Sequence, residues 1–300
     1  MHVAVLTGGE SPEREVAFWS AENVVGELER AGLDVSVFDV PSELETFLKH
    51  RARFSCVVPV LHGGWGEDGT IQGFLETLNM PYIFSGVTAS AVAMDKAIAK
   101  DVVRAAGLKT PPSVRSTSRH HASFVYDHPV VVKPIPCGST LGVTVVRSSQ
   151  ELSPALDAAF RLADTVLVED WIDGREFTVP VVEDAGKTRA LEVIEINISK
   201  RIFSFEEKYA KGNDAFEICP APIEDEWKER LQTLATTAHQ VIGARHFTRT
   251  DFMVDARGVA WFLEINTIPG MTAHSLTNKA LAVEKRTFGE LLLQWIHSVV

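Results

Sequence analysis

Arg249-Thr-Asp-Phe-Met-Val-Asp255, followed after a short break by Trp261-Phe-Leu-Glu-Ile-Asn-Thr-Ile-Pro-Gly270, puts acids where a packed strand should be apolar. Phe252 to Val254 and Ala260 to Ile265 read as strands, and Asp255-Ala-Arg-Gly258 between them reads as a turn, so a hairpin is expected. A turn centred on Ala256 and Arg257 sets Asp251 opposite Phe262 and diagonal to Glu264. Alternation then puts Arg249, Asp251, Met253, Phe262, Glu264 and Asn266 on one face, and Phe252, Val254, Leu263 and Ile265 on the core face. Asp251, Glu264 and Asn266 offer only hard oxygens, a set that suits Mg²⁺ or Mn²⁺ holding substrate phosphates rather than zinc. The competing reading is a strand with a solvated polar edge, and the Asn-Thr-Ile-Pro-Gly loop that follows counts against it.

Working outward, 300 residues with 45% hydrophobic content can build two or three domains, and apolar runs alternating with helical patterns point to α/β. The net charge of -11 argues against nucleic acid as a main partner and leaves small ligands as the better expectation. Cys56, Cys137 and Cys219 are widely spaced, which fits neither a disulfide framework nor a structural zinc site and suits a reducing cytosol. No apolar run approaches the roughly 18 residues of a membrane span, and the first residues do not form a signal peptide, so a cytoplasmic protein with no membrane partner is expected.

Val3 to Leu6, Val35 to Val40, Cys56 to Leu61 and Tyr82-Ile-Phe84 are expected as strands of a small doubly wound unit. Its helices are expected at Pro12 to Arg30 with Ser11 as N-cap, Gly69 to Leu78 and Ala89 to Ala106. A boundary near Met94 separates this unit, residues 1–94, from an α+β block over 95–171 and a last block over 172–300. In the last block an aperiodic polar stretch at about 199–222 has the length of a functional lid. Helical stripes at Trp227, Leu231, Leu234, Ala238 and Val241, and at Phe288, Leu291, Leu292, Trp295 and Val299, read as ordinary core.

Four further stretches carry chemistry. Thr7-Gly-Gly-Glu-Ser-Pro-Glu13 lacks the dinucleotide fingerprint; it is either a tight turn or a loop whose Glu13 takes the ammonium of an amino acid. His62-Gly-Gly-Trp-Gly-Glu-Asp-Gly69 lies where α/β proteins place ligand loops, and without a Gly-x-Ser-x-Gly elsewhere it does not make a hydrolase; His62 could equally be structural. Lys133-Pro-Ile-Pro-Cys-Gly-Ser139-Thr-Leu-Gly142 is not a P-loop, yet a lysine leaving a strand into such a loop can close over a triphosphate. Glu169-Asp170-Trp171-Ile172 could present backbone edges to a purine with Glu176 near a ribose, while Lys208-Tyr209 could be no more than a solvated pair.

Taken together, Gly8-Gly9-Glu-Ser-Pro-Glu13-Arg-Glu-Val16, Leu61-His-Gly-Gly-Trp-Gly-Glu-Asp-Gly69, Ser85 to Lys96, the Lys133 loop, Lys208-Tyr209 and Glu264-Ile-Asn-Thr-Ile-Pro-Gly-Met-Thr-Ala-His-Ser-Leu276 resemble the D-alanine–D-alanine ligases of the ATP-grasp superfamily. The resemblance runs nearly end to end. It implies a three-domain ATP-grasp architecture, and an ATP-dependent ligase that joins two D-alanines through an acyl phosphate for peptidoglycan synthesis. It also implies that Lys96, Lys133 and Lys208 contact ATP phosphates, that Glu169, Asp170, Trp171, Ile172 and Met253 border the adenine, and that Glu176 takes the ribose. Asp251, Glu264 and Asn266 would hold two Mg²⁺ or Mn²⁺; Arg249 and the Gly270 N–H would stabilise the tetrahedral oxyanion. Glu13 and His62 would orient the first D-alanine, Glu13, Ser139 and Tyr209 would form a triad closing the lid, and Ser275 and Leu276 would receive the second carboxylate. A homodimer is implied by analogy.

Departures from the family pattern fall at Ala17, Phe18, Ala21, Cys137, Phe205 and Thr277-Asn-Lys279. They bear on pocket shape and the lid rather than on the phosphate chemistry. The nearest rival is an ATP-grasp carboxylate–amine ligase with other substrates; a catalytically silent nucleotide-binding homologue is the second. A nicotinamide oxidoreductase is disfavoured by the missing fingerprint.

Overall fold

A computed structural model of the protein describes residues 1–117, 126–138, 140–197 and 216–300. The β-branched runs of the first unit form three parallel strands, β1 (His2–Gly8), β2 (Asp34–Val40) and β3 (Cys56–Pro59), in the order β2-β1-β3. Helices α1 (Arg14–Arg30) and α2 (Leu44–His50) connect them, and α3 (Thr70–Thr77) follows β3. The expected fourth strand is only a bridge between Tyr82 and Val57, because Phe84 turns into a left-handed conformation at φ 73° and leaves the extended path.

Two helix expectations are corrected. Helix α1 begins at Arg14 rather than Pro12, since the Ser11 hydroxyl is engaged across the fold, donating to the His62 carbonyl and accepting from the Glu13 N–H. The run expected as one helix from Ala89 to Ala106 is two, α4 (Val87–Met94) and α5 (Lys96–Ala105). Asp95 sits extended between them, and its carboxylate accepts from the Ala97 and Ile98 N–H groups to start α5.

A second sheet, ordered β4-β7-β5-β6, is antiparallel throughout and comprises β4 (Ser113–Ser116), β5 (Val130–Ile135), β6 (Thr144–Val146) and β7 (Thr165–Asp170). Helix α6 (Ser149–Ala159) covers it. The third sheet is built on β8 (Gly174–Asp184), with β9 (Lys187–Ala190) and β10 (Ile194–Ile196) on one side and β12 (Phe247–Asp255) then β13 (Ala260–Asn266) on the other. The end of the stretch expected to be aperiodic is in fact a short strand, β11 (Glu217–Ile218), paired with β10. Residues 199–215 of that stretch, with Phe205, lie outside the described residues.

Helices α4, α5 and α7 (Asp225–Val241) supply apolar faces that pack with Phe177, Phe252 and Phe262 in one core. A second core joins β1, β3 and α1 to α8 (Leu276–Val283) and α9 (Phe288–Val299), with Trp295 stacked on Phe247. The residues at both ends of the described chain thus share one apolar interior, and the loops that leave it face a common cleft.

The hairpin forms, with a register one residue off the expectation. Val254 pairs with Ala260 and Phe252 with Phe262, but Asp251 pairs directly with Glu264 and Arg249 with Asn266. Leu263 is an extra residue in β13, a bulge. Consequently Leu263 and Glu264 both line the cleft, while Phe262 is fully buried edge-on against Phe252. The expected faces of Phe262 and Leu263 are therefore exchanged. The bulge resets the alternation just in time to set the two carboxylates opposite each other.

Candidate active site

A cleft of about 1250 Å³ lies among the three sheets and collects side chains from segments far apart in sequence. Its wall includes Glu13, His62, Lys96, Lys133, Glu169, Asp170, Trp171, Ile172, Glu176, Arg249, Asp251, Met253, Glu264, Asn266, Gly270, Ser275 and Leu276. Every described candidate site residue is thus on one surface. Ser139, Lys208 and Tyr209 lie outside the described residues.

One end is strongly charged. Arg249 donates from Nε and Nη2 to the two Asp251 oxygens at 3.2 and 3.3 Å, and Thr178 donates its hydroxyl to the same carboxylate. Lys96 Nζ lies 2.9 Å from Glu264 Oε2 and donates to the Cys137 carbonyl, also at 2.9 Å. Burial by itself would lower the Lys96 ammonium, but the Glu264 carboxylate outweighs it and holds the group above the ordinary lysine range. Because Cys137 meets Lys96 through its backbone, this contact does not depend on the side chain there.

Asp251 and Glu264, opposite each other with Asn266 two residues along, give a hard-oxygen set that a divalent ion fits. Asn266 would offer its Oδ1 to such an ion, while its buried Nδ2, a donor only, has no hydrogen-bond partner among the described residues. A guanidinium and an ammonium now neutralise the two carboxylates.

Next to this lies an ionic triad that sequence reasoning missed in part. Glu169 is 2% exposed; one of its oxygens pairs with Lys133, the other lies 3.0 Å from Lys100 Nζ, off the axis of a good hydrogen bond. Lys100, 1% exposed, also donates to the Phe262 carbonyl at 3.2 Å. Burial lowers Lys100 to about 8, and the Glu169 carboxylate resists the fall. Glu169 itself is held below the usual range: desolvation would raise it, but Lys100 and Lys133 prevail. The Glu169 side chain is thus occupied by lysines, and the Asp170 and Trp171 N–H groups donate to the Pro112 and Pro129 carbonyls at 2.9 and 3.0 Å. Beyond it Val131, Val145, Ile172, Met253 and Leu263 make an apolar wall, with Trp171 under Arg147 at 5.6 Å.

The other end is built from the two glycine turns. The Glu13 carboxylate lies so close to Gly63 and Gly138 that a Cβ on either would approach it to 2.8 Å. A side chain at either position would have to displace the Glu13 carboxylate, and Gly63 in addition has a left-handed φ of 68° that favours glycine. His62 is buried, its Nδ1 3.1 Å from the Ile268 carbonyl and its Nε2 2.9 Å from the Ser20 hydroxyl. Burial pushes the imidazole down to about 4, with Arg249 adding to the effect, so the ring is neutral at physiological pH.

Glu67, in the His62–Gly69 stretch, is also part of the wall. Its carboxyl accepts from the Gly63 N–H at 2.6 Å, and burial together with the Glu13 charge raises it to about 8. A raised acid favours the folded state below its unfolded pKa, near 4.5, and that contribution is lost as pH rises through about 8. His62 has the opposite sign, contributing above its unfolded value of 6.5 and losing that contribution as pH falls through about 4. Glu67→Gln keeps the acceptor for Gly63 and removes the ionisation. Its melting temperature is expected to exceed that of the wild type near pH 8 and to converge with it near pH 4.5; thermal melts across this range check it, and equal melting at pH 8 would contradict it.

Two family models match the chain: the D-ala D-ala ligase N-terminus over residues 39–85 and the D-ala D-ala ligase C-terminus over residues 103–297. The chain belongs to the D-alanine–D-alanine ligase family. Among its relatives in that family, the D-alanine–D-alanine ligase of Geobacter sulfurreducens is 41% identical over 280 residues, 91% of this chain and 86% of that protein. The one from Herminiimonas arsenicoxydans is 37% identical over 304 residues, 99% of this chain and 90% of that protein. Among solved structures, D-alanyl-alanine synthetase A from Vibrio cholerae superposes with a TM-score of 0.89 at 27% identity, covering 100% of this chain and 98% of that one. The Bacillus anthracis D-alanine–D-alanine ligase, solved with ATP, gives 0.83 at 27% identity over 99% and 96%. The three sheets are accordingly the ATP-grasp arrangement of this ligase family.

Proposed function

We infer that the protein is an ATP-dependent ligase that joins two D-alanines into D-alanyl-D-alanine for peptidoglycan synthesis. The observation that carries this is the convergence on one cleft wall of the described residues that the family's motifs supply, from Glu13 to Leu276. The carboxylate of the first D-alanine attacks the γ-phosphorus of ATP, and ADP leaves. The amine of the second then attacks the acyl phosphate carbon, phosphate departs, and an amide remains.

In this reading Glu13 holds the first ammonium, and Lys96 and Lys133 meet the phosphates. The backbone of residues 169–172 with Met253 borders the adenine, and Glu176 takes the ribose. Asp251, Glu264 and Asn266 would hold two Mg²⁺ or Mn²⁺, which neutralise phosphate charge during in-line transfer. As a substrate complex forms, Arg249 would turn from Asp251 to the developing oxyanion beside the Gly270 N–H, and Ser275 and Leu276 would receive the second carboxylate. Ser139, Lys208 and Tyr209 are proposed for the lid on the family pattern alone. The same pattern supports a homodimer and a cytoplasmic location. Among the described residues no helix is long and apolar enough to cross a membrane.

The test is product identification. Incubation with D-alanine, ATP and Mg²⁺ is expected to yield D-alanyl-D-alanine, ADP and phosphate in equal amounts. Turnover with D-lactate, D-serine or L-amino acids but none with D-alanine would transfer the protein to another carboxylate–amine ligase specificity.

A further inference from the structure

Gly270 is bracketed by hydrogen bonds that all come from the first unit of the fold. The His62 Nδ1 lies 3.1 Å from the carbonyl of Ile268, the Met271 N–H donates to Ser20 Oγ at 3.2 Å, and Asn23 Nδ2 donates to the Met271 carbonyl at 2.8 Å. Ser20 and Asn23 are on α1, whose entrance carries Glu13.

The donor directions close without conflict. A ring nitrogen facing a carbonyl must carry the proton, so Nδ1–H donates to Ile268. In a neutral imidazole Nε2 is then an acceptor, and the Ser20 hydroxyl, 2.9 Å away, must donate to it. With its proton directed at His62, Ser20 Oγ keeps a lone pair for the Met271 N–H. One order of donors therefore runs Met271 to Ser20 to His62 to Ile268, starting and ending on the loop that contains Gly270. Both ring nitrogens of His62 are used within the protein. The ring thus acts on the loop, with its flank toward the cleft.

We propose that α1 aims the oxyanion loop, with Ser20 and Asn23 as positioning residues and His62 as the link between Ser20 and Ile268. This rests on the assignment of the Gly270 N–H to the oxyanion. The consequence is geometric. In an α-amino acid the ammonium and the carboxylate carbon are separated by one Cα. Glu13 fixes one, the Gly270 loop receives the other, and α1 references both to the same rigid helix.

The test uses the full chain carrying Ser20→Ala, Asn23→Ala or both, assayed for ADP release with D-alanine and ATP. In each single variant kcat is expected to fall roughly tenfold or more, and further in the double variant. KM for ATP should stay within about twofold, because Lys96 and Lys133 are untouched. Affinity for a dipeptide phosphinate, whose tetrahedral phosphorus bears the oxyanion, should fall in parallel with kcat. Asn23 is half-buried, so its alanine variant is expected to keep the fold, and it carries the test alone if the fully buried Ser20 position does not accept alanine. Unchanged kcat in Asn23→Ala, a loss confined to KM for ATP, or lost kcat with undiminished phosphinate binding would each overturn the proposal. A wild-type chain inactive on D-alanine would overturn the ligase reading first, and this proposal with it.

Discussion

Glu264→Gln is expected to stop turnover, with kcat lower by about a thousandfold or more and the fold retained. The substitution keeps the side-chain shape and replaces one of two directly opposed carboxylates by a weak neutral oxygen donor. A site that must gather phosphate charge then loses a unit of the negative charge that binds divalent ions. Lys96 loses its ion-pair partner but keeps the Cys137 carbonyl, so only a modest fall in melting temperature is expected. ADP release at saturating ATP and D-alanine, alongside a thermal melt, measures both effects. Activity within tenfold of the wild type would defeat the metal assignment.

The largest stability effect is expected at Glu169. Its carboxylate serves two lysines, and Glu169→Gln would remove the carboxylate paired with both ammonium groups, leaving Lys100 only the weaker pull of Glu264. Breaking a buried ion pair in this way costs about 3–5 kcal/mol, which for a protein of this size is a fall on the order of 10 °C in melting temperature. The pH dependence distinguishes this from a simple packing loss. Lys100 is already lowered to about 8 by burial, against the pull of Glu169. A lysine whose folded pKa is depressed destabilises the fold while pH is below that value, and the cost shrinks once it deprotonates. The deficit should therefore be widest below pH 8 and narrow above it. Melts of both proteins at pH 6 and pH 9 measure this, and a difference that does not change with pH would speak for packing alone.

What was legible in the sequence follows from the range of the interactions. The acids of the hairpin could be found because strand alternation is local and an acid on a buried strand is conspicuous. The register could not, because Leu263 looks like any core leucine until the third dimension shows it to be the extra residue of a bulge. The break at Asp95 was hidden by apolar residues that keep their helical spacing on both sides, although an Asp before Lys96 is a readable cap. Lys100 reads as a solvated helix lysine, since its partner Glu169 is 69 residues away on β7. Ser20 and Asn23 read as the polar side of α1 for the same reason; their partners in the Gly270 loop lie 251 and 248 residues on.

The core shared by β1, α1 and α9 also bears on the order in which the polypeptide is made. Leu291, Leu292, Trp295 and Ile296, which share this core with Val3, Val5 and Val24, emerge from a ribosome roughly 270–290 residues after them. At a synthesis rate of roughly 5–20 residues per second, that apolar face waits at least about 15 seconds for its cover. Gly289 allows α9 to press against Glu27 of α1 once it arrives. The apolar face of β1 and α1 is thus sealed well after it is synthesised, and its valines lack that part of their cover in the interval.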